Sequence, residues 1–210
     1  MLRAPAVFPS VLPPLFGLVL VGGQSRRMGA PKWALDYHGE PQAARTARLL
    51  AGVCARVFVS VADPDSPAGR LPGAAVIPDA VAFRGPAAGI VSALTAYPGA
   101  AFLVAACDLP LLDAATLHAL AAARDPHRLA TAFRSPRDGS PEPLCAVWEP
   151  AARAGLLAAA EAGAACPRRF LMRDVPPGVR LVDAPDPAAL ANANTPEDRA
   201  ALLSALRRPS

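Results

Sequence analysis

The most continuous apolar run in the chain, "AAFLVAACD" at 100–108, constrains the fold more than any other stretch. It lacks the alternation of a strand with one wet face, so it suits the centre of a parallel sheet covered by helices on both sides. The segments around it alternate between two periods. "LFGLVLV" (15–21), "RVFVSVA" (56–62) and "GAAVIPD" (73–79) read as strands, as do segments near 129–134 and 143–148. Between them, helices are expected at 41–53, with Ala43, Ala47 and Leu50 on one face, and at 85–97, 113–123 and 150–162. Strands alternating with helices indicate an α/β fold with right-handed crossovers and a mostly parallel sheet. Proline- and glycine-rich pieces at 63–73, 134–143 and 174–188 read as loops, and no internal repeat is visible. Ligands of such sheets collect beyond the carboxyl ends of the strands.

At 210 residues the chain fits one domain. Residues 1–14, broken by Pro5, Pro9, Pro13 and Pro14, read as a disordered lead, and 15–208 as the single domain. No run is long enough to span a membrane. Cys54, Cys107, Cys145 and Cys166 show neither CxxC nor Cys/His spacing, which argues against a zinc site or a disulfide framework and suits a reducing cytoplasm. His38, His118 and His127 fall in a turn, a helix and a loop with no partner at catalytic spacing. The net charge of +4 favours an anionic partner, but the arginines are scattered without interleaved aromatics. A nucleotide or phosphate fits that pattern better than a nucleic acid.

Rare residues carry information in this composition. Lys32 is the only lysine among 21 basic residues, and Asn192 and Asn194 are the only asparagines. Lys32 lies in "LVLVGGQSRRMGAPKWAL" (18–35), in which Gly22 and Gly23 follow a strand and Arg26 and Arg27 add charge. Glycines there let backbone amides approach phosphate oxygens. Five residues separate Gly23 from Gly29, so neither the Walker A loop nor the dinucleotide fingerprint is present. Asp108 ends the buried run, on a rigid edge from which a carboxylate can hold a hard cation; its other reading is as cap of the next helix, for which Asp113 is better placed. "NTPED" reads as a helix start, with Asn194 or Thr195 as cap and Pro196 in the first turn.

"LVGGQSRRMGAPK" resembles the signature L-x-G-G-x-S-x-R-M-G-x-D-K of the MobA-like nucleotidyltransferases, the molybdenum cofactor guanylyltransferases. In order, "VIPD" (76–79), "GPAAGI" (85–90), "CDLPLL" (107–112), "EPLCAVW" (142–148), "CPRRFL" (166–171) and "NANTPED" (192–198) resemble the same family, which extends the likeness from about Gly17 to Leu203. The resemblance implies a three-layer, Rossmann-like nucleotidyltransferase fold that joins GMP from GTP to molybdopterin, uses magnesium (Mg2+) and releases pyrophosphate. It also implies molybdoenzyme chaperone or cofactor-insertion proteins as partners, with no nucleic acid and no membrane.

Residue by residue, the resemblance makes Lys32, Arg26, Arg27 and Asp108 catalytic. Leu20, Val21, Gly22, Gly23, Lys32, Ser60, Asp79 and Asp108 would contact the nucleotide, Arg168, Arg169 and Asn192 the pterin, and Asp108 and Asn194 the metal. "IPDA" around Asp79 also reads as a plain turn, Arg168 and Arg169 as surface charges, and Gly85 and Gly89 as either a ligand approach or helix packing. Two departures stand out: Pro31 replaces the family's Asp, and Ser60 replaces its frequent Asn. They leave open a nucleotide-binding accessory protein without turnover. Cytidylyl transfer and transfer to a sugar phosphate are the other rivals, but "LVGG" and "NTPED" replace the L-A-A-G and D-T-P-E-D usual in cytidylyltransferases.

Overall fold

A computed structural model of the chain describes residues 12–22, 31–173, 175 and 178–206. Gly23, Arg26 and Arg27 therefore lie outside the described residues, as does the lead up to residue 11. The strands are β1 (Leu15–Leu20), β2 (Val57–Val61), β3 (Ala74–Pro78), β4 (Ala101–Ala106), β5 (Ala130–Arg134), β6 (Pro141–Trp148) and β7 (Val179–Val182). The helices are α1 (Gln42–Ala51), α2 (Pro86–Ala96), α3 (Ala114–Ala122), α4 (Ala152–Glu161), α5 (Pro167–Arg173) and α6 (Pro196–Leu206). Among the described residues, no helix is long and apolar enough to cross a membrane.

The strands form one sheet in the order β3-β2-β1-β4-β6-β5-β7, parallel except for β6, which runs antiparallel to both neighbours. Alternation along each strand divides the core into two layers. Val19, Val57, Val59, Leu103 and Cys145 face α1 and α3, whereas Leu18, Phe58, Phe102, Val104 and Trp148 face α2, α4 and α5. Helices on both faces leave β4 fully buried, as its unbroken apolar run requires.

Two expected loops contain structure. Segment 174–188 holds β7, which pairs parallel with β5, and 134–143 holds the start of β6, where Pro141 pairs with Arg134. Each assignment was obscured by prolines beside a short strand. Pro141 is tolerated because it is the first residue of its strand. The helix α5 is one turn or two of basic sequence whose Phe170 and Leu171 enter the core.

The chain runs from β1 outward through β2 and β3, then returns to place β4 on the other side of β1. That reversal of direction makes the gap beyond β1 and β4 the topological switch point. Leu20 pairs with Ala106 there, and the Cys107 amide still donates to the Leu20 carbonyl at 3.2 Å. Gly22 and Asp108 thus leave the sheet side by side.

Candidate active site

Asp108 is held by its surroundings. After β4 the chain turns through Leu109, Pro110 and Leu112, whose carbonyls have left the strand ladder and need donors. Gln42 Nε2 donates to the Leu109 carbonyl at 3.1 Å, His38 Nε2 to that of Pro110 at 2.8 Å, and Arg45 Nη1 to that of Leu112 at 2.7 Å. A carbonyl only accepts, so His38 carries its proton on Nε2. All three donors come from the segment that follows Lys32, so the lysine and the Asp108 turn are fixed to each other. Asp113 caps α3 by accepting from the Thr116 amide at 2.8 Å, which leaves Asp108 free of that duty.

Lys32 enters the site on a short 3-10 turn, Lys32–Ala34. Pro31 opens that turn with φ −60°, and its carbonyl accepts from the Ala34 amide at 3.0 Å. Proline suits this position because its fixed φ matches and no amide is needed. The departure at Pro31 therefore removes a side-chain acceptor but keeps the backbone geometry.

From the third side comes the loop before α6. The Ala193 amide donates to the Asp108 carbonyl at 2.9 Å, which brings Asn194 to the site. Asp198 accepts from the Asn194 and Thr195 amides at 3.0 and 2.9 Å, while Thr195 Oγ1 accepts from the Asp198 amide at 3.1 Å. This reciprocal cap fixes the loop, and the two amides hold the Asp198 carboxyl below its ordinary range. Lys32 Nζ donates to Asp108 Oδ2 at 3.2 Å and also to Asn194 Oδ1. Asp108 Oδ1 is buried without a hydrogen-bond partner among the described residues. Asn192 is half-buried in the same loop.

A divalent cation fits these oxygens. An orphaned buried carboxylate oxygen costs free energy unless something binds it, and hard cations prefer carboxylate and amide oxygens. Among the described residues, no three His, Cys, Asp or Glu side chains gather as a cage. Mg2+ is usually held by one or two carboxylates together with substrate phosphates, so a single carboxylate suits an ion that arrives with a triphosphate.

Two further clusters flank this centre along the same sheet edge. At the ends of β2 and β3, Ser60 Oγ donates to Asp79 Oδ1 at 2.6 Å, and the Asp79 amide donates to the Val61 carbonyl at 2.9 Å. Burial pushes the Asp79 carboxyl up from its ordinary value, and the Ser60 hydrogen bond pulls it back. Ser60 spends its proton on Asp79, so its role here is to orient that carboxylate. Gly89 of α2 lies directly over Ser60: a Cβ on it would fall 2.2 Å from Ser60 Oγ. Of the two sequence readings of Gly89, close helix packing is the one with a contact behind it. Gly85 begins α2 at φ +96°, a conformation open to glycine.

On the other flank, Arg168 Nη2 donates to Glu142 Oε2 at 3.0 Å, and Nη1 to Ser140 Oγ at 3.2 Å and Asp138 Oδ2 at 3.4 Å. Arg168 is thus half-buried between two carboxylates, and the neighbouring Arg169 is exposed. Burial raises the Glu142 carboxyl above its ordinary value; the Leu144 amide and Arg168 oppose this, while the charge of Asp108 adds to it. Glu142 escaped sequence reasoning although it opens the motif "EPLCAVW"; the signal was a charged residue entering a buried strand. His38, Gln42 and Arg45 escaped as well, because their partners lie in a distant turn.

Adjacent strands stand about 4.8 Å apart, so the four steps from β3 to β6 make an edge of roughly 19 Å. Leu20, Val21 and Gly22 end β1 midway along it. Such an edge accommodates a nucleotide and a second anion end to end.

Comparison with known proteins bears on the family and the fold. Residues 17–177 match the MobA-like NTP transferase domain. A molybdenum cofactor biosynthesis bifunctional protein of Synechocystis sp. is 35% identical over 186 residues, covering 88% of this chain and 52% of that protein. The chain therefore spans about half the length of that relative. A probable molybdenum cofactor guanylyltransferase of Synechococcus elongatus is 48% identical over 48 residues, 23% of this chain and 25% of its own. Among solved structures, molybdopterin-guanine dinucleotide biosynthesis protein A of Archaeoglobus fulgidus superposes with a TM-score of 0.74 at 22% identity, covering 91% of this chain and 98% of that one. The chain belongs to the MobA-like NTP transferase domain family.

Proposed function

We propose that the protein transfers GMP from GTP to molybdopterin and releases pyrophosphate. The observation that carries this reading is the meeting of Lys32, Asp108 and Asn194 at the switch point of the sheet. The names of the similar cyanobacterial proteins support guanine and the pterin as the two substrates.

In the proposed reaction an oxygen of the molybdopterin phosphate attacks the α-phosphorus of GTP in line. A new P–O bond forms as the bond to the β-phosphate oxygen breaks, and pyrophosphate carries away the electron pair. A phosphate is already a nucleophile, so no covalent protein residue is needed. The protein has to align two anions and offset their repulsion. Asp108 and Asn194 would hold Mg2+, which supplies charge neutralisation on the phosphate oxygens. Lys32 would contribute a positive charge beside them, with Arg26 and Arg27 assigned to the same phosphates by their place in the motif. Asp79, oriented by Ser60, would contact the nucleoside end, and Arg168, Arg169 and Asn192 the pterin end.

The test is pyrophosphate release with each of the four NTPs, Mg2+ and molybdopterin. GTP is expected to be the productive nucleotide; turnover with CTP and not GTP would overturn the base assignment. Asp108→Asn should lower turnover by about two orders of magnitude or more, the scale for losing a group that stabilises transition-state charge. Near-normal turnover in that variant would remove Asp108 from the metal site. Binding of GTP with no pyrophosphate released would favour an accessory nucleotide-binding protein.

A further inference from the structure

We propose that Lys32 is the resident counter-cation of the Asp108 and Asn194 oxygens, and that it keeps a free divalent ion out of this seat until a triphosphate draws the ammonium away. The inference rests on the metal-binding role of Asp108 given above and goes beyond it.

Lys32 Nζ bonds both Asp108 Oδ2 and Asn194 Oδ1, the two oxygens assigned to the metal. An ammonium and a divalent ion cannot share them at short range, because two cations in a partly desolvated site repel strongly. The lysine is not loosely placed: its side chain is 17% exposed and that of Asp108 15%. The backbone bond from Ala193 to Asp108 and the cap on α6 keep both acceptors in position. Nor does a ready-made cage complete the seat, since no three His, Cys, Asp or Glu side chains gather among the described residues. A free ion would have to displace the ammonium with little in return. A triphosphate alters the balance by offering the lysine other anionic acceptors, which a flexible four-carbon stem can reach. Asp108 Oδ2 then becomes available beside Oδ1, which lacks a partner among the described residues. The species that the site accepts is therefore the cation–triphosphate complex.

The composition makes the test unusually direct, because Lys32 is the only lysine of the chain. Lysine labelled with carbon-13 at Cε alone gives one side-chain NMR signal from the intact wild-type protein. Mg2+ alone is expected to leave that signal in place and Mg2+ with GTP to move it; an equal shift from Mg2+ alone would overturn the proposal. Binding of Mn2+ without nucleotide, followed by electron paramagnetic resonance, supplies the second arm. Lys32→Met should bind Mn2+ about tenfold more tightly than wild type, the order expected from removing one nearby positive charge. Equal or weaker binding in that variant would refute the competition while leaving the metal site standing. Absence of Mn2+ binding to both proteins counts as equal binding and refutes the competition, whereas a gain that survives addition of Asp108→Asn shows that Asp108 is not the ligand, and the metal assignment falls too. The Mn2+ arm uses no nucleotide, so it does not depend on which base or acceptor the enzyme uses.

Discussion

Gly89→Ala tests the packing that positions Asp79. The added Cβ would lie 2.2 Å from Ser60 Oγ, 2.8 Å from Leu20 Cδ2 and 3.0 Å from Ser60 Cβ. Leu20 Cδ2 ends a flexible side chain and can give way. Ser60 cannot retreat easily, because it sits in β2 between β1 and β3. Its hydroxyl must rotate, which breaks the 2.6 Å bond to Asp79. Overpacking of this kind costs about 1–3 kcal/mol. The lost hydrogen bond adds about 1 kcal/mol, kept at the low end because Asp79 is only half-buried. Against these stands the better helix propensity of alanine, worth about 1 kcal/mol in a helix interior. A net loss of about 2 kcal/mol is expected, read as a lower urea midpoint at unchanged slope. Ser60→Ala removes the atom closest to the new methyl. In that background Gly89→Ala should cost about 1 kcal/mol less, and the difference is the coupling energy of the pair. A neutral or stabilising Gly89→Ala, or one equally costly in both backgrounds, would show that α2 can shift away and that Gly89 does not hold Ser60.

Two other predictions concern the acids at the two ends of β6, Glu142 within it and Glu149 just after it. Glu142 has a raised folded pKa, so its contribution to stability is complete below the unfolded pKa, about 4.3, and is lost as pH rises through the folded value. Urea titrations at a series of pH values should therefore find Glu142→Gln gaining stability relative to wild type between acid and neutral pH; a difference independent of pH would refute the raised carboxyl. Glu149, fully buried, accepts from Arg124 Nε at 2.6 Å and Nη2 at 2.9 Å, while Arg124 Nη1 donates to the Pro13 carbonyl at 2.8 Å. Glu149→Ala leaves a nearly buried guanidinium unpaired and should cost about 3–5 kcal/mol in the same assay, against a refuting value below about 1.

Strands buried on both faces announce themselves in sequence, and those elements were legible: the apolar run at 100–108 becomes β4, Ala101–Ala106, and 56–62 becomes β2, Val57–Val61. The edge strand β7 was not, because four residues of "VRLV" packed on one side show no more pattern than a loop. Nor was α5, too short for a helical period, although its Phe170 stacks on Trp148. At the site, Lys32, Asp108 and Asn194 stood out by rarity and motif. The groups behind them did not: Gln42 is fully buried so that it can satisfy a carbonyl 67 residues away, and His38 supports Pro110 across 72. Bonds to distant backbone leave no trace in residue spacing. Arg168 shows the same limit, since its two carboxylate partners come from the segment before β6 and from β6 itself.

The reversed strand would let one sheet edge serve the two anions of the proposed reaction. Parallel strands deliver their carboxyl ends to the ligand edge, which accounts for Gly22, Asp79 and Asp108. Because β6 runs against β4, pairing Phe102 with Trp148 and Ala105 with Cys145, it brings its amino end there instead. Glu142 and the loop that carries Asp138 and Ser140 arrive beside Asp108, and Arg168 is held among them. The other end of β6 leads to Glu149 at the opposite edge, where the acid clamps Arg124 and, through it, the Pro13 carbonyl just before β1. A parallel β6 would exchange these places, setting a fully buried structural acid at the ligand edge and a titratable one against the start of the chain. The division predicts that substitutions at the two acids separate: Glu142→Gln should alter the KM for the proposed pterin substrate and its pH dependence with little loss of fold. Glu149→Ala should lower stability while leaving that KM unchanged in the folded fraction, and a shifted KM in Glu149→Ala would refute the separation.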